Sequence, residues 1–105
     1  MSNVTSTVRA RISQASTPTI YNLPMALADT EYSQALSNYT KKIMIKTRER
    51  TTRLRFAFVS GDTDINWITI EPGAVYVEEN LDLSSVTIYV QANKAGQIAE
   101  VLEWT

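Results

Sequence analysis

The stretch Lys42-Ile43-Met44-Ile45-Lys46, followed shortly by Arg53-Leu54-Arg55-Phe56-Ala57-Phe58, decides the fold class. In the first, Ile43 and Ile45 alternate with Lys42, Met44 and Lys46; in the second, Leu54, Phe56 and Phe58 alternate with Arg53, Arg55 and Ala57. Successive side chains of a strand point to opposite faces, so this period of two predicts half-buried strands with one wet face. Leu54, Phe56 and Phe58 are then expected to share the core side.

The alternation extends outward from Leu23 to Thr105. Met25 and Leu27 open a short strand, and Tyr32, Gln34 and Leu36 mark another. Trp67 to Ile70 and Ala74 to Val77 are short strands, Val86, Ile88, Val90 and Ala92 line one side of a longer one, and Ile98 to Trp104 is the last. The three glycines fall between these runs, in Ser60-Gly61-Asp62, Glu71-Pro72-Gly73 and Lys94-Ala95-Gly96. Pro72-Gly73 fits the central pair of a type II turn, because proline presets φ at the first position and glycine supplies positive φ at the second. Short strands at roughly 8–12 residue spacing, with no sustained helical period, indicate a β-sandwich, jelly roll or small barrel and exclude a βαβ fold.

One boundary falls near Tyr21. Residues 1–21 are rich in Ser and Thr, with Val4, Val8 and Ile12 as isolated apolar positions, and Pro18 and Pro24 hold the approach to the domain extended. The sequence therefore predicts an all-β protein: an extended N-terminal arm over residues 1–21, then a single β-sandwich or jelly-roll-like domain of about eight short antiparallel strands over residues 22–105. A terminal arm of this kind is either free or tied down by pairing with another chain, which makes Val4, Val8 and Ile12 candidate contacts.

At 105 residues, 44% hydrophobic and 20% charged, the chain suits one self-sufficient core. It contains no apolar run near the ~20 residues needed to cross a bilayer. The net charge of −1 conceals segregation: seven of the ten basic residues lie between Lys41 and Arg55, whereas Glu71 to Glu103 carries six acids and only Lys94. If this polarity persists in the folded subunit, opposite faces of neighbouring copies attract, with Arg48, Arg50, Arg53 and Arg55 as the candidate basic contacts; the alternative is a strand pair with solvated charges on its outer face.

Catalytic chemistry has little to work with. Without His or Cys there is no nucleophile–histidine pair, zinc finger or thiolate site. Glu78 and Glu79 form the densest carboxylate pair, but strand neighbours diverge to opposite faces. Asp62 and Asp64 follow Gly61 in a loop, without the later ligand positions of an EF-hand. No catalytic residue, metal ligand or cofactor is expected. Lys41, Lys42, Lys46 and the four arginines are numerous enough to meet phosphates, yet the interleaved Phe56 and Phe58 read as core and not as base-stacking platforms, so nucleic-acid binding is disfavoured. Tyr32, Trp67, Tyr76, Tyr89 and Trp104 are either packing residues or the lining of a sugar-binding groove.

Several phrases carry a family resemblance: Leu27-Ala28-Asp29-Thr30-Glu31-Tyr32-Ser33-Gln34-Ala35-Leu36; Leu54 to Phe58 ending in Val59-Ser60-Gly61; Glu71-Pro72-Gly73-Ala74-Val75-Tyr76-Val77-Glu78-Glu79; and Ile88 to Ala92 with Ala95 to Glu100. Over residues 23–105 the chain resembles small structural proteins of tailed-bacteriophage virions; residues 1–21 lie outside the resemblance. The resemblance implies a non-enzymatic capsid decoration, or cement, protein. Such a protein is made in the host cytoplasm and placed on the capsid surface, binding the major capsid protein or other virion proteins as a homo-oligomer. Capsid symmetry suggests a trimer, and no membrane partner is implied. The alternative is a tail or baseplate β-module that recognises a host glycan.

Overall fold

In the computed structural model, the described residues are 17–79, 81 and 84–105. Eight strands follow one another: β1 (Thr19–Met25), β2 (Tyr32–Ala35), β3 (Lys42–Thr47), β4 (Leu54–Ala57), β5 (Ile68–Ile70), β6 (Tyr76–Glu78), β7 (Thr87–Ala92) and β8 (Gln97–Trp104), with a 3-10 turn at Asp62–Asp64. They form two four-stranded sheets, ordered β1-β8-β3-β6 and β2-β7-β4-β5, and all of their pairings are antiparallel.

This order has a simple origin. β4 pairs with β5, β3 with β6, β2 with β7 and β1 with β8, so the chain is one long hairpin doubled back at the β4–β5 loop. Winding that double strand brings β3 beside β8 and β4 beside β7, which closes the two sheets. The result is an eight-stranded jelly roll, the more specific of the architectures expected from the sequence.

The inner faces meet in one apolar core. Ile43 and Ile45 of β3 and Val101 of β8 face Leu54 and Phe56 of β4 and Ile88 and Val90 of β7, all buried. Phe56 is completely buried and sits edge-on to Phe58, with ring centroids 4.8 Å apart, and against Tyr76 at 4.9 Å. Core exclusion follows the period of two: along β3 Ile43, Ile45 and Thr47 are buried, while Lys42, Met44 and Lys46 are only partly covered.

Three sequence expectations change. The domain begins earlier than residue 22, because Thr19 to Tyr21 already pair with Val101 to Glu103. The first strand ends at Met25 and Leu27 lies in the following turn, 62% exposed. β4 ends at Ala57, which is buried, and Phe58 beyond it is 41% exposed, so it is a rim residue and not core. Pro24 sits within β1, where it is tolerated because β1 is an edge strand and needs no second ladder. The type II turn forms as expected: Ala74 N donates to Glu71 O at 2.9 Å, with Gly73 at φ +80°. Val4, Val8 and Ile12 lie outside the described residues.

Candidate interaction surface

The basic strand residues find partners within their own subunit. Register decides this: Lys46 lies beside Glu100 across β3–β8, and the ion pair is 2.7 Å. Arg48 Nε adds a second contact to Glu100 at 3.0 Å, and its guanidinium also donates to Asn22 Oδ1 at 3.0 Å. Lys42 meets Glu79 at 3.3 Å, Arg53 meets Glu71 at 3.3 Å and Arg55 meets Asp64 at 3.6 Å. Lys46 and Arg48 hold the Glu100 carboxyl below its usual range, the hydrogen bond from Lys46 contributing most. Arg50 forms no ion pair with a described residue; it borders a shallow groove of about 270 Å³ with Lys46, Thr47 and Val75. Of the four arginines proposed as contacts, three are thus committed internally.

The carboxylates do not converge. Glu78 accepts a hydrogen bond from the Tyr76 hydroxyl at 3.2 Å on one side of β6, while Glu79 reaches Lys42. Asp64 is engaged by Arg55 and by Gln91 Nε2 at 3.0 Å. Among the described residues, no group of three or more acids is placed to hold a metal ion.

Two carboxylates that sequence reasoning passed over are the best-coordinated polar groups in the fold. Glu103 is 1% exposed, on the inner face of β8. It accepts from the Tyr21 hydroxyl, from Ser37 N at 2.9 Å and from Ser37 Oγ at 2.6 Å, and Thr40 Oγ1 lies 2.9 Å from Oε2. Burial pushes its carboxyl up, but the hydrogen bonds outweigh it and the net shift is downward. Glu31 accepts from Gly61 N at 3.0 Å and Thr63 Oγ1 at 2.6 Å, and Thr63 Oγ1 in turn accepts from the buried Gln91 at 2.9 Å. Its carboxyl is also lowered, with hydrogen bonds again exceeding desolvation. The one signal available was strand parity: Glu103 shares its phase with Ala99 and Val101.

Three surface features remain. An open, mainly apolar groove of about 510 Å³ lies at one end of the sandwich, lined by Phe58, Tyr76, Leu81, Val86 and Tyr89, with Glu78 at its margin. Glu78 lies in one register row with Ile43, Glu103 and Thr19, so the groove opens at the end where β1 begins. A smaller groove of about 300 Å³ runs past Trp67, Asp62 and Asn66. Arg55 covers Trp67, with Cζ 4.0 Å from the ring centroid, and the indole N–H donates to Thr69 Oγ1 at 3.2 Å. The third feature is an apolar row across the outer side of the β1-β8-β3-β6 sheet: Ile20 pairs with Leu102, Leu102 with Met44, and Met44 with Val77. Among the described residues no helix is long and apolar enough to cross a membrane.

No family model matches the chain, and no curated protein matches it. Among solved structures it is similar to a de novo designed double-stranded β-helix determined by solution NMR, with a TM-score of 0.51 and 17% identity over 86% of this chain and all of that one. That likeness concerns fold alone, and it agrees with the wound hairpin described above: the chain is all-β, with eight strands in two antiparallel sheets.

Proposed function

We propose that this protein is a non-enzymatic structural component of a phage virion, a capsid decoration protein that grips the assembled shell by contacts with the major capsid protein. The observation that carries this reading is the open apolar groove beside Phe58, Tyr76 and Tyr89, on a frame in which Glu31, Glu100 and Glu103 are engaged in holding segments of the chain together. The sequence resemblance to small virion proteins supports it independently. The described chain enters the sheet at the same end, where β1 begins at Thr19, about 14 Å across from the groove by strand spacing. Weak contacts of this kind gain strength because a shell presents the same site many times.

Co-sedimentation of the purified chain with shells that lack it tests the reading. Saturable binding is expected, reduced by Phe58→Asp and by deletion of Ser2 to Ser16. Absence of the polypeptide from purified particles would overturn it.

One observation favours the alternative of a host-glycan receptor module: Trp67 borders a polar-edged groove with Asp62 and Asn66, the combination of flat ring and hydrogen-bonding groups that sugars use. A glycan array separates the two readings. Binding abolished by Trp67→Ala would favour the glycan module, and an array without hits would favour the decoration protein.

A further inference from the structure

We infer that the outer face of the β1-β8-β3-β6 sheet is a contact between two copies of this chain, packed face to face about a two-fold axis that runs parallel to the strands between β3 and β8. The starting point is the row Ile20–Leu102–Met44–Val77, which crosses every strand of the sheet on the side away from the core. Ile20 is 67% exposed and Val77 46% exposed, and Leu102 and Met44 between them are half-buried. Such a row spans about 14 Å, and none of its four residues belongs to the core.

The rows on either side determine the occupant. On one side Lys42 stands over the Trp104 ring, Nζ 4.7 Å from its centroid, and pairs with Glu79. On the other Glu100 pairs with Lys46 and Arg48. The outward residues of β3 therefore read Lys42, Met44, Lys46, and those beside them on β8 read Trp104, Leu102, Glu100. A two-fold axis parallel to the strands exchanges these two columns. It lays Lys42 of one copy over Trp104 of the other, Met44 over Leu102, Lys46 over Glu100 and Val77 over Ile20. Every central contact is then apolar–apolar, cation–ring or cation–carboxylate. An axis perpendicular to the strands would instead set Lys42 over Lys46, which is repulsive.

Aligned sheets cross at about 30°, so the strands of each copy incline slightly to the axis, the columns next to it stay closest to register, and the outer Val77 and Ile20 are offset along the strands. The charges that become covered already have partners, so dimerisation strands none of them. By strand spacing and rise the face covers on the order of 500 Å² per copy, at the small end of specific interfaces. The dimer is therefore concentration-dependent, and it forms without any shell, so it stands or falls separately from the decoration reading.

Sedimentation equilibrium of the full chain up to near-millimolar concentration tests it. A monomer–dimer equilibrium is expected, abolished by Leu102→Asp and weakened about tenfold by Lys46→Glu or by Glu100→Lys. Mixing the two charge variants in equal amounts should recover wild-type association, because each carboxylate at position 46 then meets a lysine at position 100. That recovery also shows that both variants are folded. A monomer at the highest concentration, a trimer, a dimer indifferent to Leu102→Asp, or a mixture no stronger than its components would each overturn the inference.

Discussion

The Tyr21 hydroxyl donates a hydrogen bond to the buried Glu103 carboxylate across 82 residues of sequence. The contact joins the edge strand β1 to β8, and Ser37 and Thr40 bring the β2–β3 connection to the same two oxygens. A carboxylate out of water is costly alone and tolerable when its lone pairs are filled, so this group works as a clasp on the end of the wound hairpin.

Tyr21→Phe removes one donor to a charged acceptor and is expected to lower stability by about 1.5–3 kcal/mol. Glu103→Leu should cost more, since it strands the Ser37 amide as well as the hydroxyls of Tyr21 and Ser37. Urea unfolding of both variants checks the order; a Glu103→Leu protein as stable as wild type would refute the clasp.

Glu103 and Glu31 both have folded-state carboxyls below their ordinary values. The linked stability is therefore fully present above the unfolded carboxylate range, near pH 4.3, and is lost as pH falls towards the folded-state values. Urea midpoints are expected to fall on acidification below about pH 4.5. Glu103→Gln should flatten that fall while lowering the plateau at neutral pH.

Phe56→Ala removes a completely buried ring packed against Phe58 and Tyr76 and should cost about 3–5 kcal/mol. Phe58→Ala, at the rim, should cost clearly less. Thermal unfolding of the pair measures the difference.

Gly73→Ala is expected to destabilise by about 1–2 kcal/mol through backbone strain alone. A Cβ there meets nothing closer than Arg50 O at 3.7 Å, so the positive φ is the whole cause. Gly73→Asn should recover part of the loss, because asparagine tolerates that region better.

Arg55→Ala uncovers the Trp67 ring and leaves the second tryptophan, Trp104, untouched. The fluorescence spectrum should shift, with a stability change under about 1 kcal/mol because the ion pair to Asp64 is exposed.

The strands and turns were legible because they follow from local rules. Ile43, Ile45, Leu54, Phe56, Ile88 and Val90 all fall on the buried phase of their runs, and Gly61, Gly73 and Gly96 all take positive φ between strands. Phe58 and Leu27 were misplaced for a common reason: each continues an alternating pattern past the residue where pairing stops, and only a neighbouring strand defines that limit. The charge pairing was hidden for a related one. Lys46 and Glu100 are far apart in sequence and opposite in sign, which resembles polarity until β3 and β8 are laid side by side.

By itself the sequence determined an all-β chain, its alternating core and its turns, because a period of two and the φ demands of proline and glycine act over a few residues. Only the tertiary structure decided the nested pairing of β1 with β8 through β4 with β5. With it came the Glu103 clasp, the internal pairing of Arg48, Arg53 and Arg55 and the apolar row from Ile20 to Val77. Each of these depends on register between segments tens of residues apart, and register is set by how two inner faces pack together, not by any residue's own preference.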